Sequence, residues 1–318
     1  MEEPSTVFPT TIIPERSNGT GGGAYLYPSK KIMTTMVLLS LIIALFGMVG
    51  NGIVIWFLSF KIKRNKCTVY ILNLAVADFI YLVVNVVVFV FMFCIIKGVP
   101  ISHTDTSNIG RLQIVSTFGF NAGIYLLTAI SVERCLSVLY PIWYQYHRPK
   151  HQSAVVSALL WAFSCLVAGL EYFICDGIDN AQPGTESCTA VYIFTSILYL
   201  VIILLMILSS LTLVFRVQRI STCCHSPRLY IAVVISVVVF LISVVPMQLL
   251  GLLLYFNVAS AQSLEVSFYF ITELCSSVNC AVNPFIYFLV GSLRQSKCTV
   301  SLQEALKKLF QDEAETSG

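Results

Sequence analysis

Asp78 is the one charged residue between Cys67 and Ile96, and Glu133 and Arg134 stand side by side near the end of another apolar run. Asn51, Trp161, Pro246 and the stretch Asn283-Pro284-Phe285-Ile286-Tyr287 repeat the pattern, each in an apolar run of its own. Such groups are expensive to bury in apolar surroundings and usually have a function there. These types do not compose a catalyst. There is no His-Glu-x-x-His metal motif, no nucleotide-binding glycine loop and no Ser/His/Asp set. The four histidines, His103, His147, His151 and His225, fall in connections or at the ends of apolar runs. No enzyme, metal or cofactor is therefore expected. The chemistry on offer is the making and breaking of buried hydrogen bonds. In a bundle, Asp78 would face Asn51, Asn279 and Asn283 in a low-dielectric polar network, able to hold two arrangements. Pro284 removes a backbone hydrogen bond and lets its helix bend, and Tyr287 would swing with that bend.

The elements that must position these residues follow from composition. Of 318 residues, 57% are hydrophobic and 11% charged, and mean hydropathy is +0.83. Soluble domains carry about 25% charged residues. The apolar excess falls into seven blocks, near Ile32–Phe60, Cys67–Ile96, Leu112–Leu139, Gln152–Ile174, Thr189–Phe215, Leu229–Phe256 and Val266–Val290. At 1.5 Å per residue each can cross about 30 Å of hydrocarbon. The expected fold is all-α: a membrane protein built as a seven-transmembrane helix bundle in the lipid bilayer. Residues 1–31 read as an extracellular tail, punctuated by Pro4, Pro9, Pro14, Pro28 and a glycine run. Residues 32–290 read as the bundle, and 291–318 as a cytoplasmic tail. There Leu302, Ala305, Leu306, Leu309 and Phe310 recur at helical spacing beside Lys307 and Lys308, as an interfacial amphipathic helix would.

Basic residues set the expected orientation, with short basic loops held in the cytoplasm. With the N-terminus outside, only Arg16, Lys30, Lys31, Lys97 and Arg111 of the 19 Lys and Arg residues lie on the outer side. Lys30 and Lys31 oppose the rule locally, but Lys61, Lys63, Arg64 and Lys66 flank the other end of the first span. An external tail also makes Asn18-Gly19-Thr20 a usable glycosylation acceptor. Residues 1–30 carry no apolar signal segment, so the first span is expected to direct its own insertion. The net charge of +3 fits this bias and implies no nucleic-acid partner.

In order along the chain, Gly50-Asn51, Leu74-Ala75-Val76-Ala77-Asp78, Glu133-Arg134-Cys135, Trp161, Pro246 and Asn283–Tyr287 resemble the rhodopsin-like (class A) G-protein-coupled receptors. The run from Tyr125 to Tyr144, His147-Arg148-Pro149 and the Asn283–Gly291 stretch resemble the Mas-related receptor family more closely. The resemblance spans the first helix to Phe310. It implies a plasma-membrane receptor whose partners are an extracellular ligand, a heterotrimeric G protein (Gq above Gi) and arrestin. Pro246 and the Asp78 network would then switch the receptor, and Arg134 would leave Glu133 to meet the G protein. The rival reading is a ligandless or constitutively active membrane partner subunit. A transporter is disfavoured, since the seven spans show no inverted repeat.

Departures from the class pattern carry information too. Val244 stands where an aromatic switch residue is usual, and Leu204 where helix five usually has a proline. Gly119 and Gly123 replace polar ligands, which argues against a sodium site around Asp78. About twenty residues before Pro246, where many relatives carry an acid that restrains Arg134, stand Ser226, Pro227 and Arg228. Ile109 replaces the usual bridging cysteine of helix three. Of eleven cysteines, Cys175 and Cys188 flank the external loop between spans four and five, with Cys94 as a rival partner. The Mas-related resemblance implies the Cys175–Cys188 bridge.

No lysine between Val266 and Val290 could carry a retinal Schiff base, and Ser116 stands where amine receptors place an aspartate. The loop after Cys175 holds Asp176, Asp179 and Glu186 and no cation. Glu171 lies one turn inside helix four and Glu273 in the outer half of helix seven. The resemblance implies acids atop helices four and five that take cationic ligands. Glu171 matches the first, while Tyr192 occupies the second place. The expected ligand is a basic peptide or a cationic small molecule.

Overall fold

The computed structural model describes residues 30–61, 65–100, 102–149, 151–175, 186–219, 228–255 and 262–292. The apolar runs become helices because a chain in hydrocarbon must satisfy its own backbone groups. They are α1 (Lys30–Phe60), α2 (Thr68–Ile96), α3 (His103–Leu139), α4 (Gln152–Cys175), α5 (Glu186–Arg219), α6 (Arg228–Ser243), α7 (Val245–Tyr255) and α8 (Gln262–Ser292). A short π-helical turn, Trp143–His147, follows α3. The sixth span is α6 and α7 together, so among the described residues seven helical spans are long and apolar enough to cross a membrane. Helices α3 and α5 start earlier than the apolar runs suggested, at His103 and Glu186. Their first turns are polar and helical, which hydropathy does not register. Asn18, Asp176, Asp179, Ser226 and the tail helix around Leu302–Phe310 lie outside the described residues.

Helix α3 is the axis of the bundle, packing against α2, α4, α5 and α6, while α1 closes against α2 and α8. One core layer gathers Leu74, Leu126, Ile130, Met206 and Phe240, and another gathers Ala44, Leu82, Val88 and Phe89. The outward face is equally apolar. Ile42, Leu45, Phe46, Val49 and Trp56 of α1 are exposed at helical spacing, as a lipid-facing stripe must be. The α1–α8 contact depends on a missing side chain. A Cβ at Gly47 would lie 2.6 Å from Ala281 Cβ and 2.8 Å from its Cα. Small residues at such crossings let helix backbones approach.

Both interior prolines act as their chemistry requires. Pro246 has no N–H for the carbonyl one turn back, and the helix breaks at Val244 between α6 and α7. Hydrogen bonds on either side persist: Val244 N donates to Phe240 O at 2.9 Å, and Gln248 N donates to Val244 O at 3.0 Å. Pro284 sits inside α8, which continues through it.

Candidate functional site

The middle of the bundle holds the residues expected to form a switch, with α2 and α8 supplying the two sides. Asn283 Nδ2 donates to Asp78 Oδ2 at 2.9 Å, and the Cys280 thiol hydrogen-bonds the same carboxylate. Helix α3 closes over the group because Gly123 has no Cβ; one built there would lie 3.1 Å from Asp78 Oδ1. Asn51 is part of this layer but does not bond Asp78. Its Nδ2 donates to the backbone carbonyls of Cys280, at 3.1 Å, and Gly47, at 3.0 Å. Asn279 is buried on α8 and makes no hydrogen bond to Asp78. The facing network expected of four side chains is thus a direct pair plus a thiol, with Asn51 serving the backbone. Tyr287, one turn after Pro284, is buried in the core layer beneath. Trp161 Nε1 donates to Asn73 Oδ1 at 2.9 Å, tying α4 to α2.

Toward the end of the bundle that carries Cys175, a second polar cluster joins α2, α3 and α8. Glu273 is buried, and three neutral donors serve it. Tyr81 Oη (3.1 Å) and Asn85 Nδ2 (3.2 Å) reach Oε2, and Gln113 Nε2 (3.4 Å) reaches Oε1. Asn85 Oδ1 in turn accepts from Ser116 at 2.9 Å. Glu171, half-buried on α4, lies close enough to Tyr125 and Tyr199 to act on both electrostatically. Tyr199 donates to Asn121 Oδ1 at 2.6 Å, linking α5 to α3. The Tyr192 hydroxyl reaches α7, lying 3.5 Å from where a Gly251 Cβ would stand. Glu171 and Glu273 therefore occupy different clusters. Cys175 and Cys188 are disulfide-bonded with Cα atoms 5.0 Å apart, joining the end of α4 to the start of α5, and Cys94 is a free thiol.

At the opposite end, Glu133 departs from the expected pairing with Arg134. Arg148 Nη2 donates to Glu133 Oε1 at 2.8 Å and Arg148 Nε to Oε2 at 3.1 Å, and Tyr70 Oη adds a third bond at 3.1 Å. The Arg134 guanidinium instead lies 5.9 Å from the centre of the Tyr230 ring on α6. Local structure fixes the clasp. Asn65 Oδ1 accepts from the N–H groups of Cys67 and Thr68, shaping the turn into α2. That turn presents the Lys66 carbonyl to Ser153 Oγ at 2.6 Å, and Ser153 accepts from Arg148 Nη2 at 2.7 Å. The Tyr144 ring takes Lys66 Nζ at 5.3 Å and Arg148 Cζ at 5.1 Å. Burial, then the nearby Arg148 charge, pulls the Lys66 ammonium below its ordinary range. Burial pushes the Tyr144 hydroxyl up to about 12. Burial also opposes the Arg148 charge, but the bonds and charge of Glu133 outweigh it and hold it protonated. Arg148, Tyr70, Lys66 and Tyr144 gave no sign of this role in sequence. The pair spans 15 residues across a turn, a separation no periodicity rule covers.

Seven spans around buried polar clusters are the architecture of a heptahelical membrane receptor. Residues 50–287 match the family model described as 7 transmembrane receptor (rhodopsin family). The chain is 44% identical over 268 residues to human proto-oncogene Mas, covering 84% of this chain and 80% of that protein. It is 45% identical over 285 residues to mouse Mas-related G-protein coupled receptor member H, covering 87% and 84%. The chain therefore belongs to the rhodopsin family of seven-transmembrane receptors, in its Mas-related branch. It is a multi-pass plasma-membrane receptor for a ligand, with a G protein as partner, and not an enzyme.

Proposed function

We propose that this receptor turns the binding of an extracellular cationic ligand, a basic peptide or cationic small molecule, into activation of a Gq heterotrimer, with arrestin as a further partner. The Cys175 end faces outside and the Glu133 end faces the cytoplasm. This orientation puts the tail 1–31, with glycosylated Asn18, outside. The bundle 32–290 follows, and the tail 291–318 lies inside. The observation that carries the ligand reading is Glu273, a buried carboxylate served by the neutral donors Tyr81, Asn85 and Gln113. Buried and paired with no cation among the described residues, this acid is a group that a cationic ligand could pair with, and Glu171 supplies a second acid at the same end. Asp176 and Tyr192 complete the proposed ligand set. The signal then passes through Asp78, Asn51, Asn279, Asn283, Pro284, Tyr287 and Pro246 to Glu133 and Arg134.

A calcium-mobilisation screen of basic peptides, run beside charge-neutral analogues, tests this reading. Activation by the cationic members alone supports it, and equal potency of the neutral analogues overturns it. The ligandless reading is favoured by one observation, that Glu133 is held by Arg148 rather than Arg134. Agonist-dependent GTPγS exchange in membranes separates the two.

A further inference from the structure

The two oxygens of Glu273 are served unequally. Oε2 accepts from Tyr81 at 3.1 Å and from Asn85 at 3.2 Å, which fills the places one carboxylate oxygen offers. Oε1 has Gln113 Nε2 at 3.4 Å, a contact at the long end of hydrogen bonding. The side-chain oxygen of the same glutamine is buried and accepts no hydrogen bond among the described residues. Turning that amide over would not help, because it would set the oxygen against the carboxylate. Two acceptors, one charged and one neutral, therefore stand side by side with room for donors. Their surroundings favour one kind of cation. On α8, Tyr269 lies four residues before Glu273, on the same helix face, and close enough for the two to interact electrostatically. An ammonium is a compact, strongly hydrated point charge. A guanidinium is planar and weakly hydrated, offers N–H donors in a fixed fork and stacks on aromatic rings.

We propose that the cation this receptor takes at Glu273 is a guanidinium, the side chain of an arginine in a peptide. One N–H is donated to Glu273 Oε1, a second to Gln113 Oε1, and the guanidinium plane lies against the Tyr269 ring. The fork meets two neighbouring acceptors at once, and its weak hydration lowers the cost of entering a buried site. The inference rests on the cationic-ligand reading above and narrows it, since an arginine-bearing peptide is favoured over a simple amine. Glu273 meets the charge of the ligand. Gln113 adds no charge to the site and supplies the second acceptor, so it is the residue that separates a guanidinium from an ammonium.

The test uses purified full-length receptor in nanodiscs, melted over a concentration series of three blocked tripeptides. These are acetyl-Ala-Arg-Ala-amide and its lysine and citrulline counterparts, citrulline keeping the shape of arginine without its charge. The rise in melting temperature with concentration gives an apparent affinity for each. Wild type should bind the arginine peptide about tenfold more tightly than the lysine peptide, the worth of one charge-assisted hydrogen bond. The citrulline peptide should bind more weakly than either. Gln113→Leu leaves Glu273 in place and should bring the arginine and lysine peptides within about twofold of each other. A merely structural role for Gln113 would weaken both alike and leave their ratio unchanged. The wild-type ratio decides by itself, so the test does not depend on the variant folding. A lysine peptide as tight as the arginine peptide in wild type, or a preference for arginine that survives Gln113→Leu, overturns the guanidinium assignment and leaves the cationic reading standing. A citrulline peptide as tight as the arginine peptide, or no shift from any of the three, overturns the assignment and counts against the cationic reading as well.

Discussion

Asn51 donates its side-chain amide to the backbone carbonyl of Cys280, the carbonyl that Pro284 leaves without its helical donor. The proline and the asparagine are therefore one device spread over two helices. Asn51→Ala should leave that buried carbonyl unserved and destabilise the receptor by about 1–3 kcal/mol. Pro284→Ala restores an N–H four residues on, so Asn51→Ala should cost much less in that background. Thermal melts of the two single variants and the double in nanodiscs form the cycle. Additive losses would show that the two residues act independently.

Gly47 tests the same helix pair by shape. A Cβ there would lie 2.6 Å from Ala281 Cβ, closer than real Cβ atoms stand, and the obstruction includes backbone. Gly47→Ala should cost about 1–3 kcal/mol, the usual range for overpacking a tight contact. Ala281→Gly removes the nearest atom and should recover part of that loss. A melting temperature unchanged by Gly47→Ala would show that α1 slides without penalty.

The spans, their number and the buried polar residues were legible because each depends on local composition and on the high cost of a polar group in hydrocarbon. Which partner each polar residue takes was less legible. Asn51 was expected at Asp78 and serves the Cys280 carbonyl, because the carbonyl freed by Pro284 competes for the same amide. Glu133 was expected at its neighbour, but i and i+1 side chains point to different sides of a helix. Arg148, remote in sequence, approaches from the open side. Charge and spacing were also unable to show that Glu273 already has three donors.

Cys175→Ser and Cys188→Ser should reduce surface expression or ligand response to similar extents, and the double variant should be no worse than either. One shared interaction gives this non-additivity. The bridge closes a 13-residue separation, worth about 3 kcal/mol in the chain-entropy model. Peptide mapping that linked Cys94 to either residue in cell-surface receptor would refute the pairing.

Glu171 and Glu273 should separate by experiment, since they lie in different clusters. Glu171→Gln should weaken a cationic agonist by about 1.5–3 kcal/mol, the range for hydrogen bonds to charged groups. Glu273→Gln should weaken it less. It should also lower thermal stability without ligand, because its amide N–H groups would face the donors of Tyr81, Asn85 or Gln113. Saturation binding and ligand-free melts, run on both variants, resolve the two effects. Full agonist potency at Glu171→Gln would remove that residue from the site.

Agonist-free signalling follows from how Arg134 meets the sixth span. At Ser226, twenty residues before Pro246 and four before Tyr230, no acid is available to restrain it. One contact it makes is with the Tyr230 ring at 5.9 Å, near the outer limit for a cation–π interaction. Such a contact contributes about 0.5–1 kcal/mol at its weakest, comparable to the roughly 0.2–1 kcal/mol of an exposed ion pair to a carboxylate. Tyr230→Leu should therefore raise agonist-free second-messenger output about twofold to fivefold, since 1.4 kcal/mol is a factor of ten. Tyr230→Phe keeps the ring face and should stay near wild type. Ser226→Glu supplies the missing acid and should lower the output, with the largest reduction in the Tyr230→Leu background, where Arg134 has lost its ring. Output is normalised to surface receptor in every case. If Tyr230→Leu and Ser226→Glu both match wild type at background level, neither contact sets the closed state.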